Sequence, residues 1–222
     1  MEQRRQVYAR YSPVFWRPAR DVTGAHARFL RRQVSSDANV ALRTGHGFII
    51  AERRASEGLV DDFAVDRSGS WDDDGAALLL AAAEQLAGAG VDAMRVVTAH
   101  ADQPKVRLLS SMSLRVVEQW WVKELRPAGQ AAGYGRVQGP GFTGTFGPAP
   151  PVYDPGGPVL LADRVKDDAD IAVLEREAAA LGAVLAIVPA PPASARSADL
   201  QQASWSVAPD WYLGWPVRAT RA

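Results

Sequence analysis

The sequence contains no cysteine among its 222 residues. This absence excludes disulfides, zinc sites built from thiolates and cysteine nucleophiles. The three histidines, His26, His46 and His100, form no i, i+4 pair, so we expect no metal cofactor. An excess of charge is also missing, because 25 basic side chains balance 25 acidic ones. Composition therefore gives no reason to expect nucleic-acid or membrane partners.

Long apolar runs are absent as well. The longest, Ala76 to Ala83, is far shorter than the roughly 20 residues that cross a bilayer. Residues 1–32 contain eight arginines and lack the apolar core of a signal peptide. These arginines either form a functional basic arm or, as is more common, coat a solvated helix face. We therefore expect a soluble cytoplasmic protein.

Apolar residues make up 47% of the chain, which is enough for folded cores. The composition changes abruptly at Pro127. Half of the residues from Pro127 to Pro158 are glycine or proline, which argues against a helix or a central strand there. We predict a domain at 1–126, a linker at 127–157 with at most a short hairpin near Phe142 to Phe146, and a smaller domain at 158–222.

The first domain alternates between strand and helix patterns. A glycine-containing turn at 44–47 suits a tight hairpin, Gly90 suits a left-handed helix end, and Asp102 is a possible cap before Pro104. The predicted elements are a helix at 21–33, strands at 40–43, 48–51 and 58–65, a helix at 76–87, a strand at 94–98, a helix at 104–112 and a strand at 114–125.

The second domain has a similar order of patterns. Its final strand contains Trp211-Tyr212-Leu213, which resembles Trp120-Trp121-Val122 in the first domain. This predicts an internal repeat, although any two β-α-β units share such features. We expect the second copy to lack a leading helix and hairpin. The fold class is then α/β: a mixed twisted sheet flanked by helices, plus a smaller β-α-β-α-β half-domain, with strands at 158–165, 183–188 and 205–216 and helices at 169–181 and 194–203.

The element order from Gly58 to Leu125, with the small residue Ala76 three residues before Leu79-Leu80, resembles the GNAT N-acyltransferase superfamily over residues 20–125. The resemblance implies an acyl-CoA-dependent N-acyltransferase, with acetyl-CoA as the expected cosubstrate and direct attack by a small-molecule or protein amine. It also implies that backbone groups in one strand hold the thioester, namely those of Phe63, Ala64 and Val65.

The turn before Ala76 departs from the family pattern. Trp71 stands where the family has Arg or Gln, and Asp74 stands at a glycine position. Carboxylates there would repel a pyrophosphate, at a cost of about 4 kcal/mol for two charges 4 Å apart. Alternatively, Asp72 to Asp74 start the helix, with Asp73 or Asp74 as its cap. The phosphates would then need Arg67, Lys105 or Arg107, and the cofactor-binding candidates beyond the thioester strand are Trp71, Asp74, Gly75, Ala76, Asp102 and Lys105.

Acyl transfer to an amine needs a base for the amine and an acid for the leaving thiolate. Regular alternation places Asp61 on the same strand face as Phe63 and Val65, and Asp62 on the opposite face. A buried carboxylate has a raised pKa, which suits a base, although either aspartate could instead pair with an arginine at the sheet rim. His100 follows a strand at the end where α/β ligands bind. The catalytic candidates are therefore Asp61, Asp62 and His100.

The tyrosine that serves as acid in the family falls at Leu109 and is absent. This favours a second possibility, a GNAT-fold protein that binds a ligand or partner without catalysis. An enzyme of another class that uses the same cleft is a third. The internal repeat could replace a dimer contact, so both a monomer and a homodimer are expected states.

Overall fold

The computed structural model describes residues 2–66, 69–129 and 133–214. Within these residues the chain forms two compact units. The first holds residues 2–6, 23–117 and 211–214, and the second holds residues 7–22 and 118–210. This division differs from the predicted boundaries at 126/127 and 157/158, because the first unit includes residues from the C-terminal part of the chain.

Six α-helices lie in the described part of the chain, and the predicted ones begin and end within about two residues of the positions expected from hydrophobic periodicity. None of the described helices combines the length and apolar character needed to cross a bilayer. The helices are α1 Glu2–Tyr11, which the sequence did not predict, α2 Val22–Val34, α3 Ala76–Gly88, α4 Gln103–Ser111, α5 Ile171–Ala180 and α6 Ala195–Gln202.

The strands also follow the predicted order, with two additions between residues 135 and 147. The predicted strand end at Trp215 and Pro216 lies outside the described residues. The strands are β1 Asn39–Arg43, β2 Gly47–Arg54, β3 Glu57–Val65, β4 Ala93–Ala99, β5 Arg115–Glu124, β6 Gly135–Gly139, β7 Phe142–Gly147, β8 Val159–Val165, β9 Leu185–Ala190 and β10 Ser206–Gly214.

In the first unit β1, β2, β3 and β4 are neighbours in that order, and residues 211–214 of β10 also belong to this unit. β1, β2 and β3 are antiparallel neighbours, and β3 and β4 are parallel. The apolar residues of α3 and α4 pack against the sheet, because Leu79, Leu86 and Leu109 share one core with Val60 and Tyr212. The predicted α/β fold with a mixed sheet and flanking helices is confirmed.

In the second unit β5, β9, β8, β7 and β6 are neighbours in that order. The predicted β-α-β-α-β order runs from β8 to β10. The prediction that no hairpin precedes it was wrong, because β6 pairs with β7 and β7 pairs with β8. The glycines that suggested a linker are strand residues here. Gly144, for example, lies so close to β8 that a Cβ would approach the Leu161 carbonyl oxygen to 2.4 Å.

Helix ends follow the local sequence in part. Gly90 adopts φ +80° after α3, and Val91 N–H donates to the Leu86 carbonyl, which gives the predicted left-handed end. Asp102 occupies the N-cap position of α4, but its side chain makes no capping hydrogen bond. The predicted capping role of Asp102 was therefore wrong.

We predict that a fragment ending at residue 126 does not fold cooperatively. Tyr212, only 3% exposed, packs in the core of the first unit, and β10 is the neighbour of β4. Loss of both leaves apolar surface and strand hydrogen-bonding groups without cover. A thermal melt by circular dichroism checks this against the full chain. A cooperative melt with dispersed amide resonances would show that residues 1–126 suffice.

Candidate functional site between strands β3 and β4

The ladder between the parallel strands β3 and β4 ends well before the strands do. Paired residues run from Glu57 and Ala93 to Val60 and Val96. Beyond that point β3 continues to Val65 and β4 to Ala99, and the ladder between these described residues does not continue. We call the gap between residues 61–65 and residues 97–99 the wedge. Backbone groups that face the wedge can bond to something other than a strand.

A β-bulge at Asp61 lies where the wedge begins. On β2, Ala51 pairs with Val60 and Ile50 pairs with Asp62, so Asp61 is an extra residue in β3. Phe63 pairs with Ile49, two residues from Ala51, so Val60 and Phe63 lie on the same face although they are three apart.

The bulge corrects one prediction. The placement of Asp61 on the face of Phe63 and Val65 assumed regular alternation, and the alternation is broken at Asp61 itself. Asp62 does lie on the opposite face from Phe63, as predicted, because its partner Ile50 alternates with Ile49.

The Asp61 carboxyl is chemically unusual. It stays accessible to solvent, although protein atoms surround it closely. Loss of hydration, followed by the negative charge of Asp62, raises the pKa of Asp61 to about 6. The positive charges of Lys105 and Arg54 oppose this rise in pKa. A carboxyl with this pKa changes protonation near neutral pH, as a general base must.

Asp62 belongs to a hydrogen-bonded chain that the sequence did not predict. His26 Nε2 lies 2.9 Å from Asp62 Oδ1, and Arg5 Nη2 lies 2.7 Å from His26 Nδ1. Because the guanidinium can only donate, Nδ1 accepts and the Nε2–H donates to Asp62. His26 follows Val22 by four residues and precedes Phe29 by three, so helical spacing placed it on the inward stripe of α2. That spacing was the available signal for its role.

Lys105 extends from α4 into the start of the wedge. Its Nζ donates to the Val97 carbonyl at 2.9 Å and to the Phe63 carbonyl at 3.4 Å, and it lies 5.2 Å from the centre of the Phe63 ring. The side chain is only 1% exposed. The ammonium therefore joins the two strands just past the end of their ladder. It does not reach outward as a phosphate ligand would, which corrects the predicted alternative role for Lys105.

The turn from Gly69 to Ala76 starts helix α3 through a π-helical segment, Trp71–Gly75. Ser70 is the N-cap, and its Oγ accepts from Asp72 N–H at 3.1 Å and from Asp73 N–H at 3.3 Å. Asp74 Oδ2 accepts in return from Ser70 N–H at 3.2 Å. This is a capping box lengthened by one residue. The prediction that Asp73 or Asp74 is the cap was wrong, but the helix-start interpretation of the aspartates is supported by these bonds.

Trp71 and Gly75 pack together beside the wedge. The Trp71 ring meets Phe63 edge to face, with centroids 5.0 Å apart. A Cβ on Gly75 would come within 2.8 Å of Trp71 Cε3 and 3.0 Å of Leu108 Cδ2, so this glycine permits the packing. Trp71 thus forms an apolar wall of the wedge rather than an exposed stacking surface.

The other predicted residues are distributed along the same elements. Ala64 and Val65 are buried in β3, and Ala76 N–H donates to the Asp73 and Trp71 carbonyls. Asp102, 1% exposed, lies before α4, whereas His100 is exposed after β4. The structure brings Asp61, Asp62, Phe63, Trp71 and Lys105 together. Arg107 is exposed on α4, Leu109 is fully buried, His46 is exposed in the β1–β2 turn, and Arg67 lies outside the described residues.

The second unit repeats the order of elements but not this site. β8 and β9 also stop pairing early, after Leu161 and Ile187. The turn after β8 is held by Arg196, which is 8% exposed and donates to the carbonyls of Lys166 and Ala169. Because the Arg196 guanidinium is bound to these carbonyl oxygens, it is not directed toward an anion.

Comparison with known proteins identifies the fold. A proposed acetyltransferase from Thermoplasma acidophilum superposes on 96% of this chain and 89% of its own, with a TM-score of 0.63 and 12% identity. A tandem GNAT protein from the clavulanic acid biosynthesis pathway matches 91% of this chain and 89% of its own (TM-score 0.48, 12% identity). A GCN5-related N-acetyltransferase from Sphaerobacter thermophilus matches 85% of each chain (TM-score 0.49, 12% identity).

No family model and no curated protein matches the sequence. At 12% identity the likeness to the Thermoplasma protein concerns the fold alone. The predicted fold is confirmed on that basis.

We predict that Asp74→Ala destabilises the protein more than Asp73→Ala. Both changes remove a carboxylate that interacts with the helix dipole, worth about 0.5 kcal/mol. Only Asp74→Ala also removes the bond to Ser70 N–H, which adds about 1 kcal/mol. Urea unfolding of both variants measures the difference, and equal destabilisation would mean that the capping bond contributes nothing.

Proposed function

We propose that this chain is an N-acyltransferase that moves an acyl group from a thioester, with acetyl-CoA as the expected donor, to an amine by direct attack. The observation that carries the proposal is the accessible Asp61 carboxyl at the bulge where β3 and β4 part. It places a base of pKa about 6 beside unpaired strand backbone. The shared acetyltransferase fold supports the same class of reaction.

The wedge suits a thioester arm. An extended amide-containing chain can bond to the backbone of residues 61–65 as a strand does, since those groups have left the β4 ladder. The side chains of Phe63 and Trp71 supply an apolar wall for the acyl group. Backbone N–H groups near the bulge can stabilise the oxyanion that forms when the amine attacks.

Asp61 takes the proton of the attacking amine as the new C–N bond forms. When the C–S bond breaks, the leaving thiolate needs a proton. The Lys105 ammonium is a proton source at the start of the wedge, and Lys105 occupies the same face of α4 as Leu109, one helical turn earlier. The proton held by Asp61 then returns to Lys105, so both side chains regain their initial states.

A second candidate is a protein that binds a ligand in the wedge without chemistry. The buried Leu109 favours it, because it stands where the resemblance implies a tyrosine that would act as the acid. We also propose that the two units descend from one duplicated unit, which their shared order of elements supports. The site would then remain in the first copy alone, since Arg196 holds the corresponding turn of the second.

We predict that acyl transfer to an amine panel requires Asp61 and rises with pH through about 6, because the base must be ionised to accept a proton. Asp61→Asn should lower kcat/KM by about 10²- to 10⁴-fold. Asp62→Asn keeps an oxygen acceptor for His26 but removes a charge, so the acidic limb of the profile should move to lower pH. Donor binding without transfer to any amine would replace the enzyme proposal with the binding protein.

We predict that Lys105→Met slows transfer from an alkyl thioester such as S-acetylpantetheine by about 10²-fold. An acetyl ester of an aromatic thiol, which leaves without a proton, should be affected far less. Lys105→Arg keeps the cation but cannot release a proton, so it should resemble Lys105→Met in this comparison. Thermal melts check that both variants fold. Equal losses with both donors would limit Lys105 to a structural role.

A further inference from the structure

The turn from Gly69 to Ala76 uses its own backbone donors. Gly69 N–H donates to Asp66, Ser70 N–H to Asp74, Asp72 and Asp73 N–H to Ser70 Oγ, and Gly75 N–H to the Ser70 carbonyl. Ala76 N–H donates to the carbonyls of Asp73 and Trp71. Five of the eight N–H groups in this described stretch therefore donate within the turn, and a sixth, that of Gly69, donates to Asp66 just before it. A phosphate site at a helix N-terminus needs such groups to converge on the anion instead.

The charges at the turn also disfavour a bound phosphate. Asp72 and Asp73 are exposed, and Asp74 is half-buried with its carboxylate held inside the turn. These carboxylates already balance the positive end of the α3 dipole. A pyrophosphate would meet negative charge where it needs donors, so the turn does not fit the nucleotide half of CoA.

The wedge and the turn therefore differ in what they can bind. The wedge offers strand backbone, an apolar wall and an ammonium to a thioester arm. Its backbone part does not depend on the turn, because residues 61–65 act through their backbone, and the turn contributes only the Trp71 ring to the apolar wall.

We propose that the acyl donor is recognised through its pantetheine thioester arm alone, and that the nucleotide of CoA contributes nothing to recognition. Donors of this class include S-acylpantetheine, acyl-CoA and an acyl group on the phosphopantetheine of a carrier protein. The proposal rests on the proposed acyl transfer and specifies its donor.

Transfer kinetics with the wild-type protein test this directly. We expect kcat/KM values for acetyl-CoA and S-acetylpantetheine to agree within about threefold, since an unrecognised remote group supplies no binding energy. A preference for acetyl-CoA above about tenfold would overturn the proposal. A preference for acetyl on carrier-protein phosphopantetheine would support it and identify the source, and equal rates would support it with a free donor as the source.

Binding provides a readout apart from turnover. In calorimetry, CoA and pantetheine should have Kd values within about threefold of each other. Adenosine 3′,5′-bisphosphate should not displace pantetheine, and displacement would overturn the proposal. If neither thioester transfers its acetyl group to any amine, the proposed function fails. A clear preference for acetyl-CoA would overturn only the donor proposal.

Discussion

The hydrogen-bond ladder between β3 and β4 ends at Val60 and Val96, and most features of the site follow from that end. Backbone groups beyond it need partners, because a buried carbonyl or N–H without one is costly. The bulge at Asp61 is the structural cause on β3, since the extra residue turns the strand away from its neighbour. Lys105 supplies two of the missing bonds from α4. A buried ammonium is therefore retained where an apolar side chain would leave two carbonyls unsatisfied.

In the turn from Gly69 to Ala76, by contrast, backbone groups already have partners within the turn. Ser70 and Asp74 satisfy the donors of the turn from within, and the aspartates offset the helix dipole. Beyond Val60 the strand β3 has left the β4 ladder, so an extended ligand can pair with it. The turn that would hold a pyrophosphate instead uses its backbone donors for its own hydrogen bonds. In this chain the two halves of a CoA-type site have separate physical requirements, and the proposed donor relies only on the first.

Much of the fold followed from the sequence because periodicity and end signals are local. The bounds of β3, α3 and α5 came from apolar spacing, and the end of α3 came from Gly90. The bulge at Asp61 did not, because it exists only in register with β2. The place of Tyr212 in the core of the first unit depends on residues more than a hundred positions apart. The glycines near β6 and β7 led to the prediction of a linker, but closely packed strands also require residues without a Cβ.

The candidate site was predicted by residue but not by arrangement. Asp61 and Asp62 were identified as candidates, yet the partnership of Asp62 with His26 depends on how α2 packs on the sheet. Lys105 was one of three basic residues suggested for the phosphates, because the turn before Ala76 departs from the family pattern. In the structure the Lys105 side chain is buried, and its ammonium points into the wedge and not toward solvent. Composition alone does not show which way a long side chain points.

The central claim is that the wedge binds a thioester arm with its carbonyl beside Asp61. An NMR titration of the ¹⁵N-labelled protein with S-acetonylpantetheine, a ketone analogue that cannot transfer its acyl group, tests it most directly. We expect saturable shift changes that are largest in residues 61–65 and 97–99, with Trp71 also affected, and small in residues 72–75. An absence of saturable change, or changes centred away from β3 and β4, would contradict the account.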